Sequence, residues 1–523
     1  MKKKIKVIAI VILLIMCWAM PQKGIAQFPG TPYIGYIKKT VPSTMGTDFW
    51  VTFGNNYVYP ASSSQLSLQM NIAALQATDV SITFTANGNS YTCHLNAGES
   101  RRIDIGNMAS DGSVAAAVNE KANVYLDATT GASNRTLHIT SVRPVAVSAF
   151  DLCSQTSDAT VIYPVPVWGT EYRQISYMPI SSYPSAEIII AGQDNTVITF
   201  YNNDGSVNSI QTLSAGQAYV NSGGGADLTG RHFTSDKPAA YFAWIPLYYI
   251  PFDVIAGDVM FEQMIPVNTW DTKYFIPNAI QFPADAPADS NNRIRIVASQ
   301  DGTQVNYYGA SLPATVPAGS ANIASGGTLN SGQWVELSIN SRIGGAYITG
   351  TKPIGVQSYL LGCAAYPTFL TVNDPATGDP DEVCMPGLNQ MISSAVISPF
   401  MFPLYSVTGI DLDYTLFDGI GNAPPYYGLI PQHYALIVTP TANKGTVTML
   451  KGSTPVTLIP ANWTDDSNGS GMSFYRHTFD NVNDLNSSFT VSNSAGGIIV
   501  LCYGLACQES YYYNAGSAMK SLN

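Results

Sequence analysis

Charge is what this chain has least of. Asp, Glu, Lys and Arg together make up 11% of its 523 residues, against about 25% in an average soluble domain. The formal net charge is −11 and there is no basic block beyond the first few residues. Partners bound through clustered Lys and Arg, nucleic acid and anionic membrane surfaces, are therefore excluded. Histidine is also scarce. The five, His94, His138, His232, His433 and His477, form no HExxH pattern, and no GxSxG, P-loop or GxGxxG spacing occurs. The common signatures of metalloprotease, serine-hydrolase and nucleotide chemistry are thus missing. Periodicity of the helical kind is rare. After the first 26 residues no apolar run approaches the roughly 20 residues that a spanning helix needs.

What is present begins with a leader. Lys2, Lys3, Lys4 and Lys6 precede an apolar stretch from Val7 to Trp18, and Gly24-Ile25-Ala26 supplies small residues for cleavage. This reads as a secretory signal peptide over 1–26. A lipid anchor at Cys17 is disfavoured because Met16 is bulky for that processing site. Loss of Lys2, Lys3, Lys4, Lys6 and Lys23 with the leader takes the formal charge from −11 to −16. The chain carries 31 Tyr, 44 Gly and 32 Pro, so polar neutral residues and turns, not ions, keep it in solution.

Short alternating apolar runs broken by Gly, Asn and Asp every eight to twelve residues predict an all-β protein. Three elements recur. EIIIAGQDNTVITF at 187–200, RIRIVASQDGTQVNY at 293–307 and ALIVTPTANKGTVTM at 435–449 each read as a hairpin around a polar turn, with NIAALQATDVSITF at 71–84 a weaker copy. Each of LNAGES (95–100), LSAGQA (213–218) and LNSGQW (329–334) puts a Gly turn before a strand. In SVRPVAVSAF (141–150), TSDKPAAYFAW (234–244) and TGTKPIGVQSYLLG (349–362), a Pro after a basic residue opens an apolar strand, and AGGIIVLCYG (495–504) has Gly there instead. Pro has no N–H, which places it at a strand's first position. The expected architecture is four tandem β-sandwich-like units packed together, at 46–150, 151–244, 245–362 and 363–523, after an N-terminal extension at 27–45. A β-propeller-like arrangement is the alternative, disfavoured because blades run only about 40–50 residues.

Taken in order, these segments resemble the N-terminal domain family of IgGFc-binding proteins. GTDFWVTF at 46–53 resembles its opening strand, and DATVIYPVPVWGTEY (158–172) and DLTGRHFTSDKPAAYFA (227–243) resemble segments that follow. FEQMIPVNTWDTKYFIP (261–277), in which Asp271 stands where the family often has Gly, RIRIVASQDGTQV (293–305) and YGLACQESYYYNAGS (503–517) complete the match. The resemblance covers about 46–517 and implies a secreted or cell-surface binding or adhesion protein, of a bacterial, Bacteroidetes type, not an enzyme. Its partners would be host or matrix glycoproteins, mucin or immunoglobulin among them, with an anchoring partner at the outer surface and no membrane insertion. No Fc-contacting residue can be placed on the sequence. A self-assembling matrix component is the alternative function, and a glycan-active hydrolase is less favoured.

Candidate site residues are few. The cysteines that follow the leader, Cys93, Cys153, Cys363, Cys384, Cys502 and Cys507, suit disulfides in an oxidising compartment. Six allow 15 connectivities, of which sequential pairing, 93–153, 363–384 and 502–507, is simplest. No catalytic residue and no cofactor is expected. Calcium would be held only by Asp374, Asp379, Asp381 and Glu382, whose spacing is not that of an EF-hand. Asp411 and Asp413 alternate with apolar residues as a strand's polar face, not as a paired catalytic set. Recognition aromatics are sought in three clusters: Tyr241, Trp244, Tyr248 and Tyr249; Tyr426 and Tyr427; Tyr511, Tyr512 and Tyr513. Tyr joins apolar area to a polar tip, which suits recognition surfaces.

Overall fold

The computed structural model describes residues 44–516, apart from 58, 111–116, 154–155, 181–182, 253–256, 280–291, 342, 362–370, 374–379, 383–387, 391–401, 405–431, 480–483, 485–488, 496 and 507–508. The chain is 58% strand and 6% helix, in several separate antiparallel sheets that curl like half-barrels. The all-β expectation and its sandwich-like units hold. Among the described residues no helix is long and apolar enough to cross a membrane.

Each sheet is built around one long strand. In the second it is His232–Tyr249, 18 residues long. Ala186–Ala191 pairs with its C-terminal half, Ala186 opposite Trp244, and Thr196–Tyr201 pairs with its N-terminal half, Ile198 opposite Ser235. Gly169–Arg173 and Gly257–Gln263 occupy the opposite flank. Val207–Leu213 forms the outer edge on one half, and on the other Ala218–Ser222 is followed by Ala132–Ser133. The long strand therefore belongs to both layers of a curled sheet. Leu137–Cys153 has the same place in the first sheet and Gly345–Tyr359 in the third. Towards the C-terminus the corresponding strand is split between two sheets, as Phe489–Asn493 and Ile499–Ala506.

This corrects the hairpin expectation. Residues 187–200 are not a hairpin, because the two strands pair with the long strand and not with each other. The same is true of 71–84, 293–307 and 435–449. The polar turn is a corner where the chain passes from one layer to the other. Asn195 has φ 55° there, a left-handed conformation that Asn tolerates. The three recurring motifs meet at this corner. Asp194 Oδ1 accepts from the Ala215 N–H of the Gly turn at 2.9 Å, and Thr196 Oγ1 donates to Gln193 O at 2.8 Å. Lys237 Nζ donates to the carbonyls of Asp194 and Asn195, the latter at 3.0 Å. The third sheet repeats the set: Asp301 accepts from Ser331 N, Thr303 donates to Gln300 O, and Lys352 donates to Asp301 O. The Lys-Pro pair is thus a corner clamp. Pro238 and Pro353 do not open strands. They lie inside the long strands between Ser235 and Ala239 and between Gly350 and Ile354, where the flank carrying the corner pairs with nothing and a missing N–H removes no ladder bond.

The strand after each long strand turns inward. Thr156–Ile162 packs against Gly257–Gln263, which meets Leu388–Gln390, which meets Glu509–Gly516, which returns to Thr156–Ile162. The units close into a ring instead of hanging as beads, and this closure is the feature a propeller shares. Apolar clusters follow the ring. One is continuous through the second, third and fourth units, another joins the first and second, and another joins Phe150 and Leu152 to Tyr511 and Tyr513.

Between the first two inner strands backbone donors are met by side chains. Phe261 N donates to Asp158 Oδ2 at 3.0 Å, Ser157 N to Asp258 Oδ1 at 2.5 Å, Gln263 N to Thr160 Oγ1 at 2.9 Å and Tyr163 N to Gln263 Oε1 at 2.8 Å. Asp158 also accepts from the N–H groups of Ala159 and Tyr512, so one carboxyl joins inner strands that belong to the first sheet, the second sheet and the C-terminal sheet. Burial pushes its pKa well above the ordinary range despite those donors. Asp158→Ala is expected to lower the unfolding free energy by about 3 kcal/mol or more, because it strands several buried N–H groups at about 1–3 kcal/mol each. Asp158→Asn, which keeps an acceptor, is expected to lose less. Denaturant midpoints of the two variants check the order.

Candidate functional site

The described residues bring a cleft to the junction of the first and second units, and its origin is a steric one. Phe53–Gly54 pairs in parallel with Tyr125–Leu126. A Cβ at Gly54 would stand 2.3 Å from the Trp244 indole, so only Gly lets the chain pass there. Trp244 Nε1 then holds Asn55 O at 3.0 Å. Asn56 turns inward, its amide donating to Asp151 Oδ1 and to Thr156 O, each at 3.1 Å. With its neighbour anchored, Tyr57 takes φ 38°, a left-handed backbone that costs of order 1–3 kcal/mol for a non-glycine residue. Its N–H bonds Pro246 O at 3.2 Å.

The Tyr57 ring lies 6.1 Å from that of Tyr59 and 5.4 Å from that of Tyr183, and burial raises the Tyr183 pKa, with Tyr57 and then Tyr249 adding to this. These four tyrosines are half-buried. Tyr125 closes the floor, donating its hydroxyl to Tyr59 O at 2.8 Å and accepting from Asn56 N at 2.5 Å. The resulting open cleft has a volume of about 380 Å³, with Asn55, Asp127 and Arg135 on its polar side. Thr129 donates to Asp127 and holds its carboxylate below the usual range, with the Arg135 charge adding to this. Arg135 Nη1 donates to Tyr125 O at 3.2 Å.

Most of the aromatics sought from sequence lie elsewhere. Tyr241, Trp244, Tyr248, Tyr511, Tyr512 and Tyr513 are buried in the core, each 0% exposed, and cannot meet a partner at the surface. Strand alternation does not bring half of each cluster to the surface, because both faces of the long and inner strands are covered by neighbouring units. Tyr249 alone of these reaches the cleft region, while Trp244 supports its wall from behind. Tyr426 and Tyr427 lie outside the described residues. Tyr57, Tyr59 and Tyr183 were not singled out. Their signal was the segment NNYVYP at 55–60, two tyrosines in alternation before a proline.

The disulfide expectation is also corrected. Cys93 faces Val80, which faces Ser141, whereas Cys153 ends the same long strand opposite Leu66. Twelve residues of strand separate the two positions, tens of ångströms where a bridge needs Cα atoms within about 7 Å. Cys502 is a buried free thiol beside the Tyr513 hydroxyl, which rules out 502–507, and burial raises its pKa. Cys363, Cys384 and Cys507 lie outside the described residues. So do Asp374, Asp379, Asp411 and Asp413, and the side chains of Asp381 and Glu382. The histidines have structural partners: His94 with Asp79, His138 with Asp48, His232 with Glu171, and His433 with the Tyr511 hydroxyl. His477 is enclosed by Phe479 and Phe489, and burial lowers its pKa.

The ring of curled sheets and its cleft define the class: an all-β protein assembled from repeated units. The chain belongs to the family described as IgGFc binding protein, whose family model matches residues 158–504. No curated protein matches the chain. All the residues that line the cleft, within 55–61 and 122–135, precede the matched span, while Tyr183, which stands against the Tyr57 ring, falls within it.

Behind the cleft, Asp151 is fully buried with Asn56 as its donor, and burial pushes its pKa up to about 7. The folded state therefore holds this proton more tightly than the unfolded chain, where the value is about 3.9. Stability is expected to fall as pH rises from about 4 to about 7 and to level off above, by up to about 4 kcal/mol from this group. Asp151→Asn, which mimics the protonated form, should flatten that slope. Urea titrations of both proteins at pH 5 and pH 8 measure it.

Proposed function

We propose that this protein is an exported binding protein that recognises a protein or glycoprotein partner through the aromatic cleft on its first unit, beside the second. The observation that carries this reading is the cleft itself. Tyr57 is held in a strained backbone by Gly54, Trp244 and Asn56 so that its ring stands beside Tyr59 and Tyr183 at the surface. Strain that the surrounding structure over-determines is a mark of a functional position. Half-exposed tyrosines lose little conformational entropy on binding and combine apolar area with hydrogen-bonding tips. Membership of a family described by IgG Fc binding supports a macromolecular ligand. The leader supports export, and mucins or immunoglobulins are the partners to try first.

Immobilised full-length chain without its leader is expected to retain IgG or mucosal glycoproteins in a surface-plasmon-resonance assay. A Tyr59→Ala, Tyr183→Ala double variant should weaken capture at least tenfold, a loss of about 1.4 kcal/mol. Retention unchanged in the variant places the binding surface elsewhere. No retention of any glycoprotein removes the reading.

A further inference from the structure

Resting on that reading, we propose that the group the cleft takes from its partner is a neutral pyranose ring of a glycan. The argument is one of matched chemistry. A pyranose is amphipathic: one face presents C–H bonds and the rim presents hydroxyls that both donate and accept. The cleft has the same division. Tyr57, Tyr59 and Tyr125 form an aromatic side, and Asn55, Asp127 and Arg135 form a polar side. Asn55 offers an amide, Asp127 an acceptor and Arg135 a donor, which together answer hydroxyls in both roles. The volume of about 380 Å³ lies at the small end of the about 300–1,000 Å³ range of ligand pockets, fit for one or two sugar rings.

Charge narrows the ligand further. Arg135 and Asp127 carry opposite charges on the same side of the cleft and are its only charged lining residues, so the cleft offers no net cation for an acidic sugar. A proline-rich peptide would also suit a row of tyrosines, but its backbone presents only carbonyl acceptors where prolines stand. The Asp127 carboxylate would then face an acceptor, which disfavours that ligand.

Saturation-transfer NMR and calorimetric titration of the full chain provide the test. The probes are methyl hexopyranosides, methyl N-acetylhexosaminides, a sialoside and a proline-rich peptide. A neutral pyranoside is expected to bind, with saturation strongest at its ring C–H protons, and the sialoside and peptide are not. Tyr57→Gly is expected to weaken binding at least tenfold while leaving the melting temperature within about 2 °C, because Gly accepts the left-handed backbone. Tyr59→Leu, which keeps apolar bulk without an aromatic face, should weaken it as well. Binding of only the sialoside or only the peptide, or equal binding by wild type and both variants, overturns the proposal. If glycoprotein capture persists after enzymatic deglycosylation and in Tyr57→Gly, the pyranose proposal falls while the binding reading stands. If the pyranoside binds but no glycoprotein is captured, the pyranose site stands and the wider reading falls.

Discussion

The structure depends on one constraint: four inner strands that face one another at the ring's centre must satisfy backbone groups that no ordinary ladder reaches. Buried N–H groups are rarely left without acceptors. Here the acceptors between the first two units come from side chains of the inner strands themselves, Asp158, Asp258, Thr160 and Gln263. This explains buried polar residues in an otherwise apolar setting. It also explains why a chain so poor in charge places carboxyl groups where desolvation is severe. Asp158 is the hub, because its donors come from three different inner strands.

The outer junctions use other means. Arg295, buried between the second and third units, lies 4.0 Å from the Tyr177 ring centre and 4.2 Å from that of Trp334. It bonds Asp227 at 2.7 Å, Glu336 at 2.8 Å and the Ser176 carbonyl at 2.7 Å. A buried pair of this kind adds little net stability over a well-packed apolar contact, but removing one partner is strongly unfavourable. Its effect is to fix how one unit sits on the next. The cleft is held by contacts of its own, since its lining comes from residues 55–135 and its supports, Trp244 and Pro246, from the long strand of the second sheet.

The period-two pattern and turn spacing made the all-β class legible, and the recurring motifs fall at corresponding corners of successive sheets. Their meaning was less legible. EIIIAGQDNTVITF looks like a hairpin because local sequence specifies a turn, not which strands flank it. The long strand that takes both partners lies some 40 residues further on, and only tertiary pairing reveals it. The role of Lys237 and Lys352 was hidden for the same reason. The aromatic clusters misled because clustering in sequence accompanies strands covered on both faces, as Tyr511, Tyr512 and Tyr513 show at the ring centre. The tyrosines that line the cleft, 57, 59 and 125, are dispersed, and they converge through the anchoring of Asn56, with Tyr183 of the second sheet's region packed against Tyr57.

Native-state hydrogen exchange tests ring closure most directly. If the four units close around their inner strands, the amides of Ala159, Phe261 and Tyr512, which share Asp158 as acceptor, should exchange only through global unfolding. They should be far slower than the amides of the outer edge strand Val207–Leu213. Inner-strand amides that exchange as fast as that edge would contradict a closed ring.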